Sequence, residues 1–564
     1  MGINDRRVLV IGLDGASWDV LRPRMENGCM PNLKRLAEQG ATGDLHSIFP
    51  PETPAAWSSF MTGKNPGKHG VFDFLVYDPQ AKTDKPVTAG MRTGTPVWEY
   101  LSNAGKTCLV LNVPTTYPPL PIKGAMISGF LTPAKARDYA HPKELVDEFE
   151  DEYGRYPLFY ESMSFVSGNS DANAKVFLEE LEQIDRTKFD VAEKLFDRYS
   201  PDFTMLHIWG TDRLQHELWN FMDEEHPNYN REKARKFGDR IEGYYAMLDD
   251  RIGRMIDKLG PDSVAFLVSD HGFGATHYFI DQNSWLLREG FIVLKKNLWT
   301  RFKKLLWNLG FTPYNATRVL APLSKFAAWF KAASPEAMLR KSTGTLNVPG
   351  MLSFADVDWE KTKAYAPFGW SGIYVNSNGI RPNGSVAPGD YAAIRDAIVE
   401  RWKELKNPRT GERVGGLVIT NDKMFSGEFA KYGPDVMPLP LSENYMPICF
   451  FGFASKEPVY ENNTLFGNHR MEGILLAHGQ GVQPGVVQDA SLLDMAPTIL
   501  YLLGLPVHDD MDGRLIAASV DPAELAARPL EVLHTETGER RKPEDLTPEE
   551  QKEIREKLMG LGYL

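Results

Sequence analysis

Short, β-branched apolar runs recur along the chain, most of them ending at a glycine, asparagine or aspartate, and stretches of helical spacing separate them. They are "RRVLVIGLDG" (6–15), "TCLVLNVP" (107–114), "DFTMLHIWG" (202–210), "DSVAFLVSDHG" (262–272), "SGIYVNS" (371–377), "PICFFGF" (447–453) and "EGILLAHG" (472–479). Apolar side chains at successive rather than alternate positions predict strands buried on both faces. Between them, "PNLKRLAEQG" (31–40) and "TPVWEYLSNAG" (95–105) begin near a proline and stop on glycine, and "SLLDMAPTILYLLG" (491–504) closes the last unit, so helices are predicted there. Strand alternating with helix predicts an α/β layered fold with a mostly parallel sheet flanked by helices.

Two regions break this rhythm. Residues 132–198 are rich in charge, proline and tyrosine before a long helical run, and residues 296–364 contain "LWTRFKKLLWNLGF" and "LAPLSKFAAWFKAA". Both are expected to be insertions that cap a site in a catalytic domain spanning 1–520. The charged tail, 521–564, is expected to dock through a helix with Thr547 as N-cap and Pro548 in its first turn. In the second insertion, Trp299, Phe302, Leu305, Leu306 and Leu309 stand against Arg301, Lys303 and Lys304, a basic amphipathic helix suited to a membrane or an anionic ligand. The favoured expectation is a helix packed on the core with a solvated face.

Length and composition narrow the class. A chain of 564 residues exceeds the size at which one core stops growing, yet no clean linker divides it, so one large core with insertions is expected. A formal charge of −12 argues against a nucleic-acid-binding surface spread over the molecule. Cys29, Cys108 and Cys449 are too scattered for a disulfide framework or a paired-cysteine metal site, and are expected to be buried thiols. The N-terminal "MGINDRRVLVIGLDG" reads as a strand, not a signal peptide, and no apolar stretch approaches the roughly 20 residues that span a bilayer, so a cytoplasmic protein is expected. No feature sets an oligomeric state.

Chemistry gathers where buried strands end. Asp14 follows "VLVIGL", Asp270 and His271 follow "VAFLVS", and "TDRLQH" follows "TMLHIW". Sites in open α/β sheets form beyond the carboxyl ends of strands, so these groups are expected to converge. Asp212 and His216 are four apart, on one face of a helical turn and within reach of a single cation. Each alone has a structural alternative, Asp14 as a turn aspartate, Asp270 as part of a cap, His216 as a core histidine; their joint position at three strand ends favours a site.

The combination "VIGLDG", "FPPETPAAWSSFMTGKNPGKHG", "GTDRLQHELW", "LVSDHGFG" and "GNHRMEGILLAHG" resembles the alkaline phosphatase superfamily, and within it the type I phosphodiesterase/nucleotide pyrophosphatase family. The matching segments cover roughly residues 7–130, 200–290 and 365–515. The resemblance implies an alkaline phosphatase-like three-layer core and a phosphoryl-transfer enzyme with two divalent metal ions, zinc with manganese as the alternative. It implies Thr53 as nucleophile, Asp14, Thr53, Asp270 and His271 around one metal, and Asp212, His216 and His469 around the other. The family's ligand precedes the apolar strand, which selects His469 over His478; His69 and His277 fall off the ligand positions and are expected to be structural or to support the ligands.

A threonine hydroxyl is a weak nucleophile at neutral pH, and a divalent cation on its oxygen lowers its pKa, so no histidine base is required. Pro54 marks a helix beginning at Thr53, with Thr53 expected as N-cap, and a helix N-terminus favours an approaching phosphate. Sulfatases of the superfamily carry a C/S-x-P-x-R motif that "ETPAAW" lacks. Nucleotide pyrophosphatases place a phosphoryl-binding asparagine 21 positions after the threonine, where this chain has Phe74. The expected activity is hydrolysis of phosphodiesters or nucleotide pyrophosphate bonds through a phosphothreonine intermediate. The alternatives are a phosphomonoesterase or phosphonate hydrolase on the same metal core, and a phosphoryl head-group transferase or binding protein at a membrane surface.

Overall fold

Nine strands pair into one sheet in the computed structural model, which describes residues 6–78, 83–159, 171–315, 350–367, 372–449, 452–462, 465–535 and 546–561. They are β1 (Arg7–Leu13), β2 (Ala41–His46), β3 (Cys108–Val113), β4 (Gly124–Ser128), β5 (Ala140–His141), β6 (Phe203–Ile208), β7 (Ser263–Val268), β8 (Glu472–Gly479) and β9 (Gly485–Ser491), in the order β9-β2-β8-β7-β1-β6-β3-β4-β5. The stretch from β7 to β4 is parallel throughout. β8 runs antiparallel to both neighbours, and β5 closes the far edge antiparallel to β4.

Both faces of this sheet are covered, as continuous apolar runs require. On one face Val8, Val10, Val110, Met205 and Phe266 join a core with Trp57, Phe60, Trp98, Ile499 and Leu500. These partners come from α1 (Thr53–Thr62) and from the helices Val97–Asn103 and Met495–Leu502. The intervening residues Leu9, Ile11, Leu206 and Leu267 are equally buried. Against the sheet also lie α2 (Asp171–Tyr199) and α4 (Arg231–Leu259), while α3 (Gly210–Met222) carries residues from the end of β6 onward. The result is the expected helix–sheet–helix layering.

Two of the seven predicted strand runs contribute, among their described residues, to short strands outside this sheet, Tyr374–Val375 from 371–377 and Tyr445–Ile448 from 447–453. Four sheet strands, β2, β4, β5 and β9, were not legible as apolar runs. β2 alternates buried and exposed residues, and β9 is largely exposed, as fits strands away from the sheet centre.

The chain divides into two compact units. The first comprises Met1–Val76, Pro86–Ala275 and Phe466–Glu550 and contains the whole nine-stranded sheet; the second comprises Tyr77–Lys85, Thr276–Leu465 and Gln551–Leu564. Residues 132–198 belong to the first unit, where β5 extends the sheet and α2 buries Phe177, Leu181, Phe189 and Leu195. The second unit has its own core of Trp285, Trp307, Trp402, Val436 and Phe453, among others. Its helix α5 (Leu298–Asn308) occupies the start of the second expected insertion, whereas "LAPLSKFAAWFKAA" lies outside the described residues.

In the terminal region Arg6 holds Glu524 through both guanidinium nitrogens at 3.0 and 2.7 Å, and Thr547 Oγ1 accepts from the Glu550 N–H at 3.2 Å at the start of the helix Pro548–Leu561. Cys108 and Cys449 are buried thiols, but Cys29 is only half-buried, its Sγ on the Glu242 carbonyl.

Candidate metal centre and active site

Five chain segments, one of them the start of α1 with Thr53, bring the seven candidate residues together within the first unit. Asp14 leaves the carboxyl end of β1, Asp270 and His271 follow β7, Asp212 and His216 lie on α3 just after β6, and His469 sits on the short strand Gly467–Arg470, which pairs antiparallel with Gly272–Ala275. Parallel neighbours end on the same side of a sheet, which is why three strand ends deliver their polar residues to one place. All seven side chains are buried.

The group has two lobes that share His271. Asp14, Asp270 and His271 bring ligand atoms within 4.8 Å of one another, and so do Asp212, His271 and His469. His216 adds to the second lobe: its Nε2 lies 3.3 Å from Asp212 Oδ1 and 3.1 Å from His469 Nε2, and His469 Nε2 is itself 3.3 Å from Asp212 Oδ1.

Backbone carbonyls set the histidine tautomers. Nδ1 of His216 faces Gly467 O at 3.1 Å, Nδ1 of His271 faces Gly272 O at 3.1 Å, and Nδ1 of His469 faces Pro51 O at 2.9 Å. A carbonyl only accepts, so each Nδ1 carries the proton and each Nε2 turns a lone pair into the cluster. Lone pairs of His216 and His469 only 3.1 Å apart repel unless a cation lies between them and Asp212. Asp270 Oδ2 and His271 Nε2 are buried without a hydrogen-bond partner. This donor set, carboxylate oxygen and imidazole nitrogen, fits a divalent transition ion such as zinc.

Burial controls the charges. With Asp212 close by, it pushes Asp14 up to about 7, and with Asp14 close by it raises Asp270 well above the usual carboxylate range. Burial would also raise Asp212, but wherever His216 and His469 carry a proton on Nε2 they outweigh it and hold that carboxyl well below its ordinary value. Burial and the neighbouring His469 take His271 down to about 3, so its ring stays neutral, as a ligand must.

Asp14 therefore keeps part of its proton near neutrality when no cation is present, Asp270 is shifted in the same direction, and a binding ion must displace whatever protons they hold. The apparent Zn²⁺ affinity is expected to rise as pH climbs from about 6 to about 8 and to fall on acidification, by up to about tenfold per unit for each proton displaced. Competition titration against a chromophoric chelator measures this. A flat profile across that range would contradict it.

Thr53 departs from the expected cap role. Glu52 is the N-cap of α1, in an extended conformation and without a side-chain cap bond, so Thr53 is the first helical residue. Pro54 follows within the first turn, where its missing N–H costs nothing. The Thr53 hydroxyl is thereby left for the site: its Oγ1 lies 3.5 Å from Asp14 Oδ1.

Several groups that hold the cluster lie within or beside the matched segments but were not singled out from the sequence. Asp14 Oδ2 is gripped by Trp57 Nε1 at 2.9 Å and His207 Nε2 at 2.8 Å, which directs Oδ1 toward Thr53 and His271. Gly12 makes room for this, since a Cβ there would collide with the Trp57 ring. Thr211 Oγ1 donates to Asp14 O at 2.6 Å, Gln215 Nε2 to Gly15 O at 2.8 Å, and Gly15 itself needs a left-handed φ of 64° while its N–H donates to Asp270 Oδ1. His207 had a faint signal as a lone polar residue inside the apolar run "TMLHIW".

The other histidines singled out from the sequence, His69, His277 and His478, are not among these grouped donors. His69 Nδ1 accepts from the Val71 N–H at 3.1 Å and its Nε2–H donates to Ser59 Oγ at 2.9 Å, so neither nitrogen offers a lone pair to an ion. His277 belongs to the second unit, and His478 is half-buried beyond the middle of β8. Phe74 is 1 % exposed and packs edge-on against Phe130 at 5.8 Å, whose ring lies 4.1 Å from Trp209.

Comparison with known proteins adds the following. The family described as type I phosphodiesterase/nucleotide pyrophosphatase matches residues 8–415. No curated protein matches the chain. Among solved structures, phosphonoacetate hydrolase from Sinorhizobium meliloti 1021, in complex with phosphonoformate, is 14 % identical with a TM-score of 0.51, over 88 % of this chain and 95 % of that one. Murine ectonucleotide pyrophosphatase/phosphodiesterase 5 is 13 % identical with a TM-score of 0.45, over 89 % of this chain and 96 % of that one. The likeness to the hydrolase is one of fold.

Proposed function

Because the chain belongs to the type I phosphodiesterase/nucleotide pyrophosphatase family and is a hydrolase of phosphate esters, we propose that it cleaves phosphodiesters or nucleotide pyrophosphate bonds through a phosphothreonine formed on Thr53. The observation that carries this reading is the approach of the Thr53 hydroxyl, at the first position of α1, to Asp14 in a buried two-lobed donor cluster. Asp14, Thr53, Asp270 and His271 would hold one divalent ion, and Asp212, His216 and His469 the other. When bound, such ions acidify a coordinated hydroxyl and neutralise charge on phosphoryl oxygens.

The chain's own residues do the rest. Thr53 Oγ1 attacks phosphorus, forming the new P–O bond as the bond to the leaving oxygen breaks. Water then adds to the phosphothreonine, breaking the bond to Oγ1 and restoring the hydroxyl. Trp57 and His207 keep Asp14 oriented throughout. The backbone N–H groups at the start of α1 face developing phosphoryl charge and take over from the family's asparagine, whose position Phe74 fills with an apolar ring.

Charge favours a diester. Three carboxylates, Asp14, Asp212 and Asp270, against two divalent ions leave one net positive charge, which matches the single negative charge of a phosphodiester. Turnover of bis-p-nitrophenyl phosphate and of the p-nitrophenyl ester of thymidine monophosphate is therefore expected to exceed that of p-nitrophenyl phosphate, each assayed with Zn²⁺ or Mn²⁺ restored after chelation. Faster hydrolysis of the monoester would reverse the assignment.

A further inference from the structure

The helix α5 is mounted with its apolar stripe outward. Thr300, Lys303 and Trp307 form its buried face, where Lys303 Nζ pairs with Asp356 Oδ2 at 2.9 Å, Thr300 Oγ1 donates to Asp356 Oδ1 at 3.0 Å, and Trp307 Nε1 donates to Phe453 O at 3.4 Å. On the opposite side Leu298 is 84 % exposed, Leu309 75 %, Leu305 55 % and Trp299 56 %, with Phe302 exposed beside them. At about 100° per residue, Leu298, Phe302, Leu305 and Leu309 fall within one narrow arc. The rings of Trp299 and Phe302 stack at 5.6 Å on this surface.

The helix packs on a core with a solvated face, as expected, but the solvated face is the apolar one. A buried lysine–aspartate pair fixes the helix rotation, because leaving either charge alone in the interior is costly. Scattered exposed leucines are ordinary, but an aligned row of four large apolar side chains with Trp299 beside it marks a contact surface.

Charge identifies the contact. Residues 291–311 hold five cations, Lys295, Lys296, Arg301, Lys303 and Lys304, and no aspartate or glutamate, within a chain whose net charge is −12. Lys295, Lys296 and Arg301 are exposed along or just before the stripe. An apolar row with tryptophan and phenylalanine at its edge and cations beside it suits the boundary between acyl chains and anionic headgroups. No described helix is long and apolar enough to cross a membrane. We propose that α5 lies on an anionic lipid surface, its row from Leu298 to Leu309 dipping below headgroups that Lys295, Lys296 and Arg301 hold electrostatically.

Flotation of the full-length protein with phosphatidylcholine vesicles, with and without phosphatidylglycerol, tests this. Wild type is expected to float only with the anionic vesicles, less so at high salt, with a blue shift of tryptophan emission that the variant Trp299→Phe loses. Trp299→Ser/Phe302→Ser/Leu305→Ser and Lys295→Ala/Lys296→Ala/Arg301→Ala should each lower partitioning, the second by about a hundredfold. Both should keep wild-type turnover of a soluble p-nitrophenyl diester, which shows that they fold. Wild type that stays with the pellet, or flotation that neither variant weakens, overturns the proposal. So does a dimer seen by light scattering without vesicle binding and abolished by the triple serine variant, which would assign the face to a second copy of this chain.

Discussion

Thr53→Ala is expected to lower diester turnover by at least about a thousandfold while leaving metal content and melting temperature close to wild type. The hydroxyl is the only oxygen that the substitution removes, and it is the atom proposed to form the covalent bond to phosphorus. The fold has little stake in it. Glu52, not Thr53, is the N-cap of α1, and no side-chain cap bond depends on the threonine. Alanine is a good helix former at that position, so the stability change should stay within about 1 kcal/mol. Thr53→Ser, which restores a hydroxyl, should recover a substantial part of the rate. Full turnover by the alanine variant, with both ions measured in place, would remove Thr53 from the chemistry.

Chelation should act on stability as well as on activity. Without cations, three buried carboxylates and the facing Nε2 atoms of His216 and His469 have only protons to reduce their repulsion. An ion held at about a thousand times its Kd contributes about 4 kcal/mol of stability, so stripping with dipicolinate should lower the melting temperature by several degrees and abolish turnover. Restoring Zn²⁺ or Mn²⁺ should recover both. His469→Ala should reproduce part of this, with less bound metal by elemental analysis and little response to chelator. A chelated protein of unchanged activity and melting temperature would show that the cluster holds no ion.

The legible part of this site was the part that local pattern encodes. An apolar run ending in Asp-Gly or Ser-Asp-His-Gly signals a buried strand and a polar residue at its end, and the i, i+4 spacing of Asp212 and His216 places both on one helix face. Trp57 and Thr211 were invisible, because tryptophan and threonine in apolar segments look like packing. The bond of Trp57 to Asp14 spans 43 positions, and that of Thr211 to Asp14 spans 197. The order of strands was also beyond reach: β1 lies between β6 and β7, an arrangement set by which faces bury best once all are present.

The helix α5 shows the same boundary from the other side. Its amphipathic character was plain in the residues, but the pattern alone did not say which face is buried. Asp356, 53 positions away from Lys303, supplies the buried counter-charge that turns the lysine inward and the leucines out. Amphipathicity states that two faces differ; only the partner decides which one it covers.

The sequence by itself determined the layered α/β fold, the family, and the residue types at the strand ends, because strand period, turn residues and helix spacing are local properties of the chain. The tertiary structure decided that three Nε2 atoms point inward and that the Thr53 hydroxyl is released from capping. Each of these depends on a hydrogen-bond partner or a neighbour remote in sequence, Gly467 O for His216, Pro51 O for His469, Asp14 for Thr53, and no local periodicity carries that information.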